Sequence, residues 1–346
     1  MCFGEKKNIR IMTTEEKFTN TENIGMNKMT PHDTHIIFVD GTTWSGLIEG
    51  PLDLYKLVDF GLVEEKRARL HDGDAFYSWV KEPEKVIVGN AVNRIGDSVF
   101  FNCGYLLSVY IPDSVTFIDA EAFSFCDSLE NVVIPDSVTE IEDAAFSWCK
   151  SLKSVVMSKN VKRIGMAAFN GCESLKSFEI PDGVIEIDDM TFSGCTSLRR
   201  VKIPSFVIKI GNSAFYNCWS LKSIDIPDSV KEICDGAFYG CMKLKSIILP
   251  RRLKYIGKDV LSGCSSLSSV YIGNDVKKIK SFAFAGCDSL MAIGIPKSVK
   301  KIETGAFHWS RNLKDAIFYG KTLKDVKNMK NYPWGVEDET IFKVES

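Results

Sequence analysis

The sequence predicts a solenoid of about ten stacked turns, each 23 residues long. Three residue types recur at this interval: a phenylalanine, a cysteine three residues later, and a leucine three residues after the cysteine. A repeat that keeps its length over most of a chain indicates one structural unit per turn, stacked on its neighbours. The cysteines of this row, the cysteine ladder, are Cys103, Cys126, Cys149, Cys172, Cys195, Cys218, Cys241, Cys264 and Cys287.

Residues 123–146 contain every element of one turn. Val132 and Ile134 are two residues apart, so they lie on one side of a short strand. Pro135 cannot donate a hydrogen bond to a neighbouring strand and therefore ends it. Residues 142–148 lack β-branched side chains, which favours one short helical or 3₁₀-like turn.

The apolar side chains of one turn cannot form a core alone, so the turns must stack to bury them. We expect the ladder cysteines to be reduced thiols that pack as small apolar side chains. Metal or redox chemistry is the alternative, because neighbouring turns lie about 4.8 Å apart, within the range of a disulfide. The cysteine row ends at Ser310. The phenylalanine row is Phe100, Phe123, Phe146, Phe169, Phe192, Phe215, Phe238, Leu261, Phe284 and Phe307.

Four segments are predicted along the chain. Residues 1–30 show no periodicity and are expected to be flexible, and residues 31–85 should form an N-terminal cap or a small module. The solenoid spans 86–319, and residues 320–346 form a C-terminal cap. A solenoid needs such caps because its terminal turns would otherwise expose their cores.

The N-terminal unit has a hairpin and two helices in its sequence pattern. Asp40-Gly41 lies between apolar β-formers in residues 36–44, a strong hairpin signal. Apolar periodicity predicts helices at 52–58 and 62–70, separated by Gly61.

The C-terminal cap is predicted to begin with a short amphipathic helix. Thr322 suits the N-cap, and apolar side chains follow at Leu323, Val326 and Met329. We expect Trp334 to cover the last repeat, although a ligand-binding role is the alternative.

No catalytic or metal-binding motif is recognisable in the sequence. His32 and His35 have a spacing that could suit a metal, but no third ligand group is near them in the sequence. A glycine-rich phosphate loop, a nucleophile elbow and a Ser-His-Asp arrangement are all missing. We therefore predict a non-enzymatic protein without catalytic residues, metal or cofactor. An enzyme or toxin activity within residues 31–85 is the alternative, although no catalytic geometry can be assembled there.

The outward side chains of the repeated strand are the candidate binding residues. They differ from turn to turn, being apolar towards both ends and charged in the middle, which suits recognition of an extended partner. Unselected drift on an unused face is the alternative, but exposed aromatic and apolar residues favour an interface. The candidates are Tyr110, Val133, Val156, Glu179, Arg200, Lys202, Asp225, Ile248 and Tyr271.

A second row, the basic stripe, follows the repeated leucine and consists of Lys153, Lys176, Arg199, Lys222 and Lys245. A row of like charges could bind a polyanion. Acidic residues lie near it, and no aromatic side chains alternate with it as a nucleic-acid platform requires. We therefore favour a solvated row and expect no nucleic-acid partner.

The repeat resembles a known family. The pattern Leu-x-x-Val-x-Ile-Pro-x-Ser-Val-x-x-Ile-x-x-x-Ala-Phe-x-x-Cys-x-Ser, as it stands at residues 129–151, is similar to the BspA-like, or Treponema pallidum-type, leucine-rich repeat. It departs from the commoner leucine-rich pattern because its cysteine precedes the strand. The resemblance covers residues 86–319 and implies a right-handed superhelix with a concave parallel β-sheet and short turns on the convex side. Family members are mostly bacterial and protozoan surface or secreted proteins, described as adhesins or interaction modules.

These observations favour an interaction scaffold that binds a protein or peptide through the concave sheet. The net charge of −2 indicates no general attraction to nucleic acid or anionic membranes. The chain shows neither a signal-peptide pattern nor an apolar stretch long enough to cross a bilayer, which predicts a cytoplasmic protein. The family resemblance supports the alternative of an exported surface antigen, an adhesin that binds a host protein or glycan.

Overall fold

The computed structural model describes residues 32–67, 75–336 and 338–345, with the side chains of 65–67 and 75–77 left out. The predicted flexible segment 1–30 lies outside these residues. The predicted solenoid is confirmed, because equivalent residues of consecutive repeats lie side by side in parallel strands. Val133, for example, lies beside Val156.

The first column of strands, which we call the first sheet, is the one predicted to be concave. Its short strands face the core on one side: Val132 is 2% exposed and Val133 is 48% exposed. Proline ends most of them after three or four residues, because it cannot donate a ladder hydrogen bond. Residues 221–227 carry no assigned strand, and the strands on either side of them pair in shorter parallel segments. The strands are Pro83–Ile87, Ser108–Tyr110, Asn131–Val133, Ser154–Val156, Ser177–Glu179, Arg200–Lys202, Ser246–Ile248, Ser269–Tyr271, Ala292–Ile295 and Asp315–Tyr319.

A second column of strands, the second sheet, follows the tight bend in each turn. From Phe117–Ile118 onward each repeat contributes two residues, of which the isoleucine is buried and the residue before it is half-buried. These strands also pair in parallel, each with its equivalent one turn away. They are Gly50–Leu52, Val92–Ile95, Phe117–Ile118, Glu140–Ile141, Arg163–Ile164, Glu186–Ile187, Lys209–Ile210, Glu232–Ile233, Tyr255–Ile256, Lys278–Ile279 and Lys301–Ile302.

The segment between the second sheet and the next first-sheet strand forms successive β-turns, which we call the turn face. The Ser147 amide donates to the Ala144 carbonyl at 2.9 Å, the i→i−3 pattern of the predicted 3₁₀-like turn. Alternate amides instead bond to the neighbouring turn, as Phe146 N–H does to the Ala168 carbonyl at 2.8 Å. Positive φ angles at Ala144 and Trp148 interrupt the right-handed path, so the segment cannot become a helix.

The core contains a stack of phenylalanine rings and the cysteine ladder. The rings of Phe123 and Phe146 lie 5.1 Å apart and nearly parallel, and this arrangement repeats between most neighbouring turns. Leu261 interrupts the stack. Beside it, the Cys195 thiol donates to the Phe169 carbonyl at 3.1 Å, and the other ladder thiols from Cys126 onward bond in the same way. The ladder cysteines are buried and free, as predicted.

The N-terminal unit extends both sheets. Asp33–Phe38 and Thr43–Leu47 form the predicted antiparallel hairpin around Asp40-Gly41. The first of these strands also pairs with Pro83–Ile87, which continues into the first sheet. The predicted helix at 52–58 is present as Leu54–Asp59, with Asp53 as its N-cap.

The helix predicted at 62–70 is wrong. Val63–Arg67 is a strand, paired antiparallel with Ala75–Trp79, and residues 68–70 lie outside the described part of the chain. Strand pairing overrides the helix propensity of the glutamate, lysine and arginine residues in this segment. The pairing places Trp79 on the solenoid, where its ring stacks on Phe100 at 5.7 Å.

The C-terminal end begins with the predicted helix, Leu323–Lys327, capped by Thr322 in a capping box with Asp325. Trp334 is 1% exposed and packs against Phe318, so its predicted role as a cover of the last repeat is confirmed. A 3₁₀ turn at Glu339–Ile341 leads into Phe342–Glu345, a parallel strand beside Asp315–Tyr319.

Candidate protein-binding face

The outward row of the first sheet exposes large apolar side chains near both ends. Side chains alternate along each strand, so packing of the inner residues against the core leaves their neighbours in solvent. The exposed fractions are 48% for Val133 and 44% for Val156 towards the N-terminal end, and 69% for Ile248 and 50% for Tyr271 towards the other. Val133 lies beside Val156, and Ile248 lies beside Tyr271, on adjacent parallel strands.

The middle of the same row is charged. Glu179 and Lys202 occupy equivalent positions on adjacent strands, and their charged groups lie 3.5 Å apart. Both side chains are more than two-thirds exposed, so this ion pair contributes little to stability. Arg200 lies two residues before Lys202 and is exposed on the same face. Asp225 is also exposed, but it lies in the segment without an assigned strand.

The two ends of the row are more enclosed. Tyr110 is half-buried, and burial together with the nearby charge of Asp113 raises the pKa of its hydroxyl. At the C-terminal end, the ring of Tyr319 lies over Gly294. A Cβ atom added at Gly294 would come within 2.9 Å of that ring, so a larger residue would not fit there. Tyr319 therefore belongs to the exposed face, although it is not among the binding residues predicted from the sequence. Gly294 could have indicated this contact in the sequence, since a glycine inside a strand often marks the close approach of another group.

The outward row of the second sheet differs sharply from that of the first. Its side chains are mostly half-buried and have partners in neighbouring turns. The Tyr255 hydroxyl donates to Glu232 at 2.5 Å, which raises the pKa of Tyr255 to about 12. Lys278 and Lys301 both contact Glu303, at 2.8 and 3.2 Å. The second sheet therefore satisfies its outward groups internally, whereas the first sheet leaves apolar groups exposed.

The basic stripe lies beside the first sheet and is exposed along its length. Lys153 forms an ion pair with Glu130 one turn earlier. Within the described ranges, no carboxylate lies within 4.0 Å of the charged groups of the other four stripe residues, Lys176, Arg199, Lys222 and Lys245. These four cations project from consecutive turns next to Arg200 and Lys202, so one edge of the face is positively charged.

A family model for the BspA type leucine rich repeat region matches residues 72–199 and 186–314, with six copies. The chain belongs to this family. The match confirms the resemblance found in the sequence and accounts for most of the solenoid. Membership of a leucine-rich repeat family indicates a role in protein interaction or as a surface protein.

Several solved structures are similar to this BspA-type chain. A leucine-rich repeat protein from Bacteroides ovatus has 26% sequence identity and a TM-score of 0.53, over 76% of this chain and 84% of that chain. A leucine rich cell surface protein from Faecalibacterium prausnitzii has 26% identity and a TM-score of 0.37, over 89% and 98% of the two chains. The pneumococcal vaccine antigen PcpA has 15% identity and a TM-score of 0.47, over 88% and 80%. A comparison with curated proteins finds no match.

The described cysteines of this BspA-type protein are buried. Burial raises the pKa of the Cys195 thiol well above its ordinary value, and that of Cys234 to about 11, so few thiolates form near neutral pH. His35 is buried, with its Nδ1 2.7 Å from the Ser45 hydroxyl. In the part of the chain that the structure describes, no three histidine, cysteine or acidic side chains cluster as a metal site requires. None of the helices in the described ranges is long and apolar enough to span a bilayer.

Proposed function

We propose that this BspA-type protein is a non-enzymatic interaction scaffold that binds a protein or peptide through the outward face of the first sheet. The contrast between the two sheets supports this proposal most strongly. The second sheet pairs most of its outward groups with neighbouring side chains, whereas the first sheet exposes Val133, Val156, Ile248 and Tyr271. Exposed apolar and aromatic side chains on a rigid scaffold are typical of interfaces.

The arrangement of the row suggests the shape of the partner. Parallel strands are spaced by about 4.8 Å, so the four turns from Val156 to Ile248 span about 19 Å. A partner segment of that length, with apolar side chains near both ends, would cover both apolar groups at once. Acidic side chains in its middle would lie next to Lys202 and the basic stripe.

A quantitative pull-down from the source organism tests this proposal. The sheet-face variant carries Lys202→Ala and Tyr271→Ala, and the control variant carries Tyr105→Ala and Lys231→Ala, which remove the same side-chain types from exposed positions outside the first sheet. We expect at least one protein to be captured by the wild type and the control but depleted at least fivefold with the sheet-face variant. Equal capture by all three proteins would contradict the proposal.

Family membership also supports a second candidate, in which the protein is an exported adhesin and the same face binds a host protein. Protease treatment of intact cells distinguishes the two locations. Digestion of the chain without cell lysis would support the adhesin, and protection until lysis would support an intracellular partner.

A further inference from the structure

The turn face near the N-terminal end carries three exposed aromatic side chains in mutual contact. Phe101 and Phe125 have ring centroids 5.6 Å apart in an edge-to-face arrangement. Phe125 and Trp148 are stacked at 6.1 Å with an interplanar angle of 5°. The three side chains are 42%, 37% and 38% exposed, respectively. We call this group the aromatic track; it lies outside the first sheet.

Two members of the track occupy a backbone conformation that disfavours large side chains. Phe125 and Trp148 have φ angles of 60° and 59°, and left-handed geometry at a bulky residue is uncommon and strained. The equivalent position in most other turns is glycine or asparagine, the residue types that tolerate it best. The full row is Asn102, Phe125, Trp148, Gly171, Gly194, Asn217, Gly240, Gly263, Gly286 and Trp309.

An aromatic ring at this position is not required for the turn to form. Glycine forms the same turn elsewhere in the solenoid, and the rings are not enclosed by the core. The Trp148 ring lies over Gly171, where a Cβ atom would come within 2.8 Å of it. Phe125 and Trp148 are more than one-third exposed although their backbone is strained, which suggests a role in binding, because strained residues concentrate at functional sites.

The track leads into an acidic groove between the N-terminal unit and the first repeat. The groove has a volume of about 590 Å³, and Phe101 belongs to both its lining and the track. Among its lining residues are four carboxylates and no lysine, arginine or histidine. Within the described residues, no basic group lies within 4.0 Å of the three carboxylates outside the helix cap. The four acidic residues are Asp53, Glu82, Asp97 and Glu121.

We propose that the aromatic track and the acidic groove form a second docking surface, which binds a basic segment of a partner protein. Charge complementarity decides the type of occupant, because the carboxylates attract lysine and arginine and have no basic neighbours in the groove lining. The rings suit the same side chains, since a guanidinium or ammonium group binds over an aromatic face and its apolar stem packs against it. An acidic or purely apolar segment would leave the carboxylates of the groove without partners.

A phage-displayed library of 12-residue peptides tests this proposal on the full chain. Peptides are selected on the wild type and depleted on the Phe125→Gly/Trp148→Gly double variant. Glycine is the residue that this position carries in other turns, so this variant should retain its circular dichroism spectrum and its thermal midpoint within a few degrees. The matched control is Trp309→Gly, which removes a 63%-exposed tryptophan from the same position at the other end of the solenoid.

We expect the selected peptides to be rich in arginine or lysine next to apolar residues. Synthetic copies should bind the Asp97→Asn/Glu121→Gln variant, on which they were not depleted, at least tenfold more weakly than the wild type. Trp309→Gly and the Lys202→Ala/Tyr271→Ala variant should bind them like the wild type, because both leave this surface intact. Enrichment of acidic or uncharged peptides, no enrichment, or equal affinity for the Asp97→Asn/Glu121→Gln variant would overturn the proposal.

Discussion

At the scale of single residues, the cysteine ladder connects packing with hydrogen bonding. The Cys195 thiol is buried, and it donates to the Phe169 carbonyl of the preceding turn. Ser310 occupies the next position after the last ladder cysteine, and its hydroxyl donates to the Phe284 carbonyl at 2.7 Å. The site therefore accepts either a thiol or a hydroxyl as donor, and the ladder is structural.

Substitution of Cys195 should separate these two contributions. Cys195→Ala removes the donor and leaves a small cavity, so we expect a loss of about 1–2 kcal/mol in the free energy of unfolding. Cys195→Ser should cost less, because a hydroxyl reaches the equivalent carbonyl at Ser310. Urea denaturation of both variants measures the difference. A serine variant less stable than the alanine variant would show that burying the hydroxyl costs more free energy than its hydrogen bond contributes.

The sequence was sufficient to predict which side chains of each repeat face the core and which face solvent, because equivalent positions recur every 23 residues. It could not reveal the bond from Cys195 to Phe169. That contact depends on the offset at which neighbouring turns stack, which tertiary packing determines. The aromatic track was missed for a related reason, since Phe101 and Phe125 occupy different positions in the repeat and their contact depends on how neighbouring turns stack.

At the scale of elements, the two sheets distribute charge differently. In the second sheet, Glu303 accepts hydrogen bonds from Lys278 and Lys301, which belong to consecutive strands, and also from the Ser281 hydroxyl. Chiefly through Lys278, this network lowers the pKa of the Glu303 carboxyl from 4.5 to about 2. The carboxylate therefore connects the last strands of this sheet.

The lowered pKa of Glu303 predicts how its contribution to stability changes with pH. The folded state favours the ionised form, so the stabilisation is present above the ordinary value of 4.5 and is lost as pH falls towards about 2. Glu303→Gln should therefore unfold at a lower temperature than the wild type at pH 7, and this difference should shrink below pH 4. Thermal scans at several pH values test this, and a constant difference would contradict it.

Strands were predicted correctly where the alternation of inward and outward residues and a following proline both indicated a strand. The prediction failed where pairing with a distant strand determined the conformation. The strand at Asn131–Val133 follows from its inward and outward residues and from Pro135. The strand at Val63–Arg67 has helix-favouring composition, and only its partner at Ala75–Trp79 makes it extended. The ion pairs of the second sheet could not be predicted either, because they depend on the register in which neighbouring turns stack.

At the scale of the whole molecule, tryptophans close both ends of the core. Trp79 stacks on Phe100 and donates from its indole N–H to the Val99 carbonyl at 3.2 Å. At the other end, the Trp334 carbonyl accepts the Phe307 amide at 3.2 Å, and the Trp334 ring packs on Phe318. Each turn contacts mainly its neighbours, so the ends should open before the centre.

Trp334→Ala should reveal this one-dimensional behaviour. Removing a buried tryptophan costs about 3–5 kcal/mol locally. We expect hydrogen exchange to accelerate in residues 300–345, while residues 120–200 remain as protected as in the wild type. Peptide-level exchange measured by mass spectrometry tests this, and uniform acceleration along the chain would show instead that the solenoid unfolds as one cooperative unit.

We propose above that the outward face of the first sheet binds a partner protein. Site-specific photo-crosslinking in the source organism tests it most directly, with benzoylphenylalanine at position 271 on this face or at position 209 on the second sheet. We expect a discrete crosslinked protein from position 271, in an amount that Lys202→Ala reduces, and no such product from position 209. The same product from position 209, or none from position 271, would contradict it.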